Sequence, residues 1–279
     1  MKEFWKRFAR HRGAVVGVLV LLFVIGLLSS ASFLFPRSPW AMVQRPFLPP
    51  FVNMAYPLGT DTMGRDIASA LAHGAGTSLL VGLVSTLVSL LIGIPIGAAA
   101  GYFGGIVDDL LMRFTEFFQS VPSFAFAIVL VAIFQPSLTS IVVAIALVSW
   151  PPVARLLRGE VMALRSREYV EAAVLSGQRS ATIIWRQILP NTLSPIIVLA
   201  TMMVAAAILI ESALSFMGLG DPNIMSWGYV IGAGRTVIRQ AWWVSFFPGV
   251  MILLTVLALN LIGEGLNDAL NPRLARKGR

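Results

Sequence analysis

The sequence predicts an all-α polytopic membrane protein with six transmembrane helices. Its 279 residues are 57% hydrophobic and only 12% charged, whereas a soluble domain carries about 25% charged residues. Several apolar runs reach the roughly 20 residues that a helix needs to cross a bilayer. These runs show no alternation of apolar and polar residues, which excludes the β-barrel, the other fold that satisfies the backbone in lipid.

Six apolar runs are assigned to the predicted spans. They cover residues 14–35, 77–102, part of 113–134, 138–153, 193–219 and 244–262. The fourth span is predicted to end at Pro151-Pro152, because proline lacks a backbone N–H and clashes with the preceding helical turn. A proline-rich stretch at 36–76 and a polar stretch at 220–242 are predicted to be external loops.

The distribution of basic residues predicts that both termini are cytoplasmic. In this orientation 16 of the 21 Lys and Arg residues lie in cytoplasmic segments and 5 lie outside, as the positive-inside rule requires. The five external residues are Arg37, Arg45, Arg65, Arg235 and Arg239. We expect a multi-pass protein of a bacterial or archaeal cytoplasmic membrane, surrounded by the lipid bilayer. The net charge of +8 then needs no nucleic-acid partner, and the first run is expected to remain as an uncleaved anchor.

The residue inventory predicts that this chain carries no catalytic chemistry of its own. It has no cysteine, which excludes disulfides and thiolate metal ligands. None of its three lysines, Lys2, Lys6 and Lys277, closes a phosphate-binding Gly-x-x-x-x-Gly-Lys-Ser/Thr loop. His11 and His73 are far apart in sequence and predict no metal site. We therefore expect no cofactor on this chain, and energy must come from another protein.

The charged segment after the fourth span predicts a helix–turn–helix at the cytoplasmic surface. Ser166 is the predicted N-cap, and Glu168 suits the positive end of the helix that follows. Gly177 is a favourable residue for ending that helix and turning. A second short helix is predicted over residues 180–189, just before Pro190.

Motif spacing in this segment resembles a known family. Glu171-Ala172-Ala173, then Gly177, then Leu189-Pro190 resembles the EAA loop of membrane subunits of binding-protein-dependent ATP-binding-cassette (ABC) importers. The resemblance implies a coupling helix that docks on a cytoplasmic ATPase. It assigns coupling to Glu168, Tyr169, Glu171, Ala172, Ala173, Gly177, Arg179, Leu189 and Pro190. The chain departs from the pattern at Gln187, where an apolar residue is expected, and an ordinary amphipathic connector is the alternative interpretation.

Three further segments resemble the second permease subunit of dipeptide and oligopeptide importers. The matching residues are Leu58-Gly59-Thr60-Asp61 with Gly64-Arg65-Asp66, residues 211–220 with Ser226-Trp227-Gly228, and Trp242-Trp243 with residues 260–268 and Pro272-Arg273. The resemblance covers about residues 4–274. Residues 221–225 lack the double proline often found there, which leaves the substrate subgroup open.

The resemblance implies an architecture and a set of partners. The fold would be a type I ABC importer transmembrane domain, with a core at 75–264, an N-terminal extension at 1–74 and a cytoplasmic tail at 265–279. The implied partners are a homologous permease forming a heterodimer, two ABC ATPase subunits that bind ATP and Mg²⁺, and an external binding protein. The implied substrate is a di- or oligopeptide. Alternatives are glutathione, a nickel chelate, a secondary transporter and a scaffold without transport.

The external motif Gly59, Asp61, Gly64, Arg65 and Asp66 forms a dense polar turn beside the membrane. Pairing of Arg65 with Asp61 or Asp66 would brace this loop, and contact with the binding protein is the alternative. In the second span, Gly93, Gly97 and Gly101 share one helical face and allow close helix packing, while Pro95 predicts a kink.

Glu211 lies inside the fifth apolar run. A charge at the centre of a membrane helix costs about 2.5–3.5 kcal/mol on insertion scales, so its carboxylate should face protein or water. One hypothesis places Glu211, Ser212 and Ser215 on the translocation path, where Glu211 contacts the substrate amino group. The other gives Glu211 a hydrogen-bonded structural role. The Trp242-Trp243 pair is predicted to lie in an interfacial aromatic belt.

Overall fold

The computed structural model describes residues 2–270, which form eleven α-helices and no strand. The helices are α1 (Lys2–Arg10), α2 (Arg12–Leu34), α3 (Ile67–Phe103), α4 (Gly105–Ser120), α5 (Ser123–Phe134), α6 (Leu138–Arg165), α7 (Glu168–Leu175), α8 (Ser180–Ile183), α9 (Leu193–Leu214), α10 (Trp227–Gly234) and α11 (Trp243–Leu270). The closing Pro272-Arg273 motif and the basic tail residues Arg276, Lys277 and Arg279 lie outside the described residues.

The described chain contains five helices that could each cross a membrane and one bent helix pair that could form a sixth crossing. Five helices are long and apolar enough to span alone, namely α2, α3, α6, the continuous helical segment Ser180–Leu219 and α11. The pair α4 and α5 is bent by 82° and passes the same test only when its two helices are taken together. The all-α polytopic prediction is therefore confirmed, but two helices that meet at a sharp bend replace the single third span expected within residues 113–134.

The break between α4 and α5 has a local cause. Val121 is extended, with φ −92° and ψ 133°, and it precedes Pro122. The proline ring disfavours the helical conformation of the residue before it, so α4 ends at Ser120 and α5 starts afresh.

The most extensive helix–helix contact in the bundle joins α3 to α6. The three glycines of α3 lie along this contact. A Cβ placed on Gly93 would lie 2.6 Å from Val153 Cβ, and one on Gly101 would lie 2.6 Å from the Arg158 carbonyl oxygen. A Cβ on Gly97 would overlap the Ala154 carbonyl. The close packing predicted from the glycine spacing is therefore present, and its partner is α6.

This packing explains why α6 does not end at Pro151-Pro152, where the sequence predicted its end. The helix continues through both prolines to Arg165. Neighbouring helices compensate for backbone groups that proline leaves unpaired inside a membrane bundle. Here Trp150, Val153 and Ala154 are almost completely buried against α3, so long-range packing outweighs the local cost.

The second span also begins earlier than the predicted residue 77. Asp66 caps α3 by accepting a 3.0 Å hydrogen bond from the Ala68 N–H, and the first two turns of α3 are buried. They pack against α10, a helix inside the stretch expected to be a polar loop. Trp227 of α10 donates through Nε1 to the Leu71 carbonyl at 2.9 Å. The predicted domain boundary at 74/75 thus falls inside α3.

The loop at residues 36–66, which is predicted to be external, is folded onto the ends of the helices. Antiparallel bridges join Met42 to Arg65 and Thr60 to Asp66. Trp243 donates through Nε1 to the Thr60 carbonyl at 3.1 Å and is only 6% exposed. The aromatic-belt prediction is therefore wrong for Trp243, which packs inside the protein.

Candidate functional site

The loop that is predicted to be cytoplasmic begins one residue later than the sequence indicated. Ser166 ends α6, and Arg167 takes the N-cap position of α7 without a side-chain hydrogen bond. At the other end, Gly177 has φ +70°, a conformation that glycine adopts without steric cost. Its N–H donates to Val174 O, and the Gln178 N–H donates to Ala173 O. These two bonds form a Schellman motif, so the predicted turn at Gly177 has the expected geometry.

The second arm of the loop does not stop before Pro190 as the sequence predicted. After α8 the chain forms a π-helical turn at Ile184–Ile188 and a 3₁₀ turn at Leu189–Thr192, and then enters α9. Gln187, the departure from the family pattern, donates from Nε2 to Gln178 Oε1 at 2.8 Å. This bond ties the second arm to the turn.

Buried apolar side chains fasten the loop to the bundle. Val170 and Ala173 on α7, with Ile183, Ile188 and Leu189 on the second arm, pack with Ala98, Leu157 and Val161 of the membrane helices. Ala173 is only 4% exposed. Of the two alanines that the resemblance assigns to coupling, Ala173 therefore faces the bundle, while Ala172 is exposed.

The outward side of the loop carries exposed apolar residues. Leu175 is 89% exposed, Trp185 is 65% exposed and Val174 is 53% exposed. Together with Tyr169 and Ala172 they are called the coupling surface below. The motif did not point to Val174, Leu175 or Trp185, although large apolar residues in a charged, water-facing loop are a usable signal for a partner.

Four other residues assigned from the motif are exposed, and one is buried. Glu168, Glu171, Arg179 and Pro190 lie on the outside of the loop, whereas Leu189 is buried. Beside α7, a recess of about 630 Å³ is lined by Tyr102, Phe103, Met162, Arg165, Glu171 and Leu175. The loop thus combines an anchored inner side with an open outer side.

The external polar turn is braced by Asp61. One Asp61 oxygen accepts from the N–H groups of Met63 and Arg65, both at 2.8 Å, and the other lies 3.9 Å from Arg65 Nε. Gly59 and Gly64 both have positive φ. Arg65 therefore pairs with Asp61 and not with Asp66, whose carboxylate caps α3.

Arg65 also ties this turn to α10. Its Nη1 donates to the Tyr229 hydroxyl at 3.2 Å, and its guanidinium lies 4.7 Å from the centre of the Trp40 ring. Trp40 and Tyr229 are in edge-to-face contact. The external motif thus acts as a clasp between the first loop and α10, a contact that sequence spacing does not show.

Glu211 is 2% exposed and is surrounded by serine hydroxyls. Ser215 Oγ and Ser226 Oγ donate to Glu211 Oε1 at 2.9 and 2.8 Å, and Ser212 Oγ lies 3.3 Å from Oε2. Ser226 also caps α10 by accepting from the Tyr229 N–H. This geometry favours the structural role for Glu211, since its carboxylate joins α9 to the start of α10.

A charged cleft, which sequence reasoning missed, lies between α4 and α6. Arg158 makes a two-pronged contact with Asp108, with both N–O distances 2.6 Å. Asp109, Arg113 and Glu116 line the same cleft of about 400 Å³. The ion pair joins the bent helix pair to the helix that leads into the coupling loop.

Residues 93–276 match the family described as the binding-protein-dependent transport system inner membrane component. The chain belongs to this family. Residues 1–50 also match the N-terminal transmembrane domain of oligopeptide transport permease C. The protein is thus a multi-pass inner-membrane subunit of an ABC transporter, and the family resemblance drawn from the coupling loop is confirmed.

Curated relatives align over nearly the full chain. A di/tripeptide transport system permease protein of Pseudomonas aeruginosa is 42% identical over 98% of this chain and 92% of its own length. A dipeptide transport system permease protein of Bacillus subtilis is 38% identical over 99% and 86%. A glutathione transport system permease protein of Pectobacterium atrosepticum is 38% identical over 98% and 91%.

A solved structure shows the same fold. The inward-facing MetNI methionine ABC transporter has a chain that superposes with a TM-score of 0.58 at 17% identity, covering 75% of this chain and 96% of that one. The fold is therefore that of a type I ABC importer transmembrane domain, as the family resemblance implied.

Proposed function

We propose that this chain is the membrane permease subunit of an ATP-driven peptide importer and that separate ATPase subunits drive it through the coupling surface. The main support is the geometry of α7, which is fastened to the bundle by Val170 and Ala173 and presents Leu175 outward. The peptide substrate is supported by relatives named for di- and tripeptide transport. An external binding protein would deliver the peptide.

Motion of the ATPases reaches the bundle along α6. This helix leads into α7 through Ser166 and Arg167 alone, and three glycines of α3 bring α3 and α6 into close contact. ATP and Mg²⁺ bound on the ATPases supply the energy, and binding biases the bundle between two conformations. A homologous permease completes the path as a heterodimer, with two ATPases below.

Glutathione is the alternative to a dipeptide as the transported substrate. It is itself a tripeptide with a γ-linkage, and a glutathione permease is among the relatives at 38% identity. Competition between labelled dipeptide and unlabelled glutathione during uptake separates the two. A dipeptide permease keeps its dipeptide uptake in an excess of glutathione.

Leu175→Asp tests the coupling surface. Burying a leucine side chain contributes about 1.5–3 kcal/mol, and a carboxylate in its place must also be desolvated. We expect this variant to lose about tenfold or more in association with the ATPase subunits, with a parallel loss of peptide uptake. Copurification of the ATPases with the permease and uptake in whole cells measure the two effects.

Leu175→Met is the matched control, because methionine conserves apolar volume. It should retain ATPase association and uptake. The proposal fails if Leu175→Asp reaches the membrane in normal amounts and binds the ATPases as well as Leu175→Met does.

A further inference from the structure

A cavity of about 230 Å³ lies between the end of α2, the external loop and the start of α3. Its lining includes Phe35, Arg37, Ala41, Tyr56, Asp66 and Ser69. It is separate from the coupling surface, the Glu211 cluster and the α4–α6 cleft. None of the functions above uses it.

Three polar residues, Arg37, Asp66 and Ser69, line this cavity. Ser69 is 5% exposed, and its hydroxyl is buried with no hydrogen-bond partner among the described residues. A buried hydroxyl left unpaired costs about 1–3 kcal/mol. Arg37 is exposed at the rim and forms no salt bridge within residues 2–270.

Asp66 supplies the third group. Its carboxylate is 7% exposed and accepts from the Ala68 N–H, but the described chain offers it no cation within 4.0 Å. Burial raises the pKa of Asp66, because desolvation of the charged form outweighs its backbone hydrogen bonds. A bound cation would offset this desolvation.

The cavity lies at the end of an apolar span. Phe33 and Leu34, the last residues of α2, are 87% and 55% exposed and face the surroundings of the bundle. Polar and aromatic side chains at such a level meet lipid headgroups. With the N-terminus in the cytoplasm, this level is the outer leaflet.

We propose that this cavity binds the headgroup of a phospholipid that carries both a phosphate and a primary ammonium. Arg37 binds the phosphate and Asp66 pairs with the ammonium. The Ser69 hydroxyl, which has almost no accessible surface in this structure, rotates toward the cavity and accepts one of the ammonium protons. The acyl chains follow the exposed apolar end of α2. A choline headgroup has no N–H to donate and would leave Ser69 unpaired, so the site selects ethanolamine over choline.

Native mass spectrometry of the assembled transporter tests this site. The complex is reconstituted in nanodiscs with equal amounts of phosphatidylethanolamine, phosphatidylcholine and phosphatidylglycerol, then released into detergent, and the retained lipids are counted. We expect phosphatidylethanolamine to be retained several-fold above the other two. Arg37→Gln and Ser69→Ala should each bring this ratio close to one.

Arg45→Gln is the matched control, since Arg45 is another exposed arginine of the same loop and does not line the cavity. It should keep the ethanolamine preference. Ala41→Phe, which fills the cavity without changing charge, should remove the preference. If Ala41→Phe still retains phosphatidylethanolamine in preference to the other two lipids, the proposal is overturned.

Two other outcomes would also overturn it. Equal retention of the three lipids by the unaltered complex would show that no headgroup is selected, and preference for phosphatidylglycerol would show that only the anionic group is recognised. Addition of free glycylglycine separates a lipid site from a site for soluble zwitterions. If millimolar glycylglycine displaces the retained lipid, the cavity belongs to a soluble ligand.

Discussion

At the residue scale, Glu211 keeps its carboxyl group inside the protein. Two serine hydroxyls donate to one carboxylate oxygen and a third lies near the other, so the carboxylate joins α9 to the residue that caps α10. The sequence predicts that a charge here must avoid lipid. Only the contacts with Ser215 and Ser226 show that protein groups satisfy it.

Replacing Glu211 with leucine should destabilise the protein. The variant leaves the Ser215 and Ser226 hydroxyls without their acceptor, and each buried unpaired group costs about 1–3 kcal/mol. Glu211→Gln keeps one acceptor oxygen and should lose less. Thermal unfolding of the purified complex measures both, and equal unfolding temperatures for the two variants would contradict the structural role.

The same glutamine variant addresses the translocation-path hypothesis. If Glu211 binds the substrate amino group, Glu211→Gln should lower the rate of peptide uptake even where thermal stability is kept. Uptake equal to that of the unaltered protein at every pH tested would exclude this role.

The two alanines of the EAA motif show the limit of motif reading at this scale. Ala172 is exposed and Ala173 is buried, yet the resemblance assigns both to coupling. Adjacent helical residues are about 100° apart on the helix surface, so the orientation of α7 decides which of them meets a partner. That orientation depends on long-range packing with α3 and α6.

At the scale of elements, three glycines of α3 bring this helix into close contact with α6. Gly97→Ala should destabilise the bundle, because the added Cβ overlaps the backbone of Ala154, and overpacking of this kind costs about 1–3 kcal/mol. We expect lower thermal stability of the complex and slower uptake, since α6 leads into the coupling loop.

Gly159→Ala is the control for this change. Gly159 lies in α6, and a Cβ there meets nothing within 4 Å. Alanine in a helix interior is favoured over glycine by about 0.5–1 kcal/mol, so this variant should be as stable as the parent or slightly more stable. If Gly97→Ala unfolds at the same temperature as Gly159→Ala, the α3–α6 contact must relax to accommodate the added Cβ.

At the scale of the whole molecule, the orientation in the membrane is open to a direct test. The chain has no cysteine, so single cysteines introduce unique labelling sites. Met54 in the external loop is 78% exposed, and Ser176 in the coupling loop is also exposed. A membrane-impermeant maleimide should label Met54→Cys from outside in spheroplasts.

Ser176→Cys should react only after the membrane is opened. Labelling of both cysteines from the same side would contradict the prediction that the two loops lie on opposite sides of the membrane. Labelling of Ser176→Cys, but not Met54→Cys, in intact spheroplasts would place both termini outside. The proposed outer-leaflet lipid site would then move to the inner leaflet.

The sequence by itself determined the fold class, the family and the position of the coupling loop. Apolar length, charge and motif spacing are properties of local sequence, and they persist whatever the helices pack against. Tertiary structure decided where α3 starts, why α6 passes through Pro151-Pro152, and which side of α7 is exposed. Each of these depends on contacts between residues far apart in the chain, such as Gly97 with Ala154. The cavity of Arg37, Asp66 and Ser69 exists for the same reason, because only the folded loop brings the three side chains together.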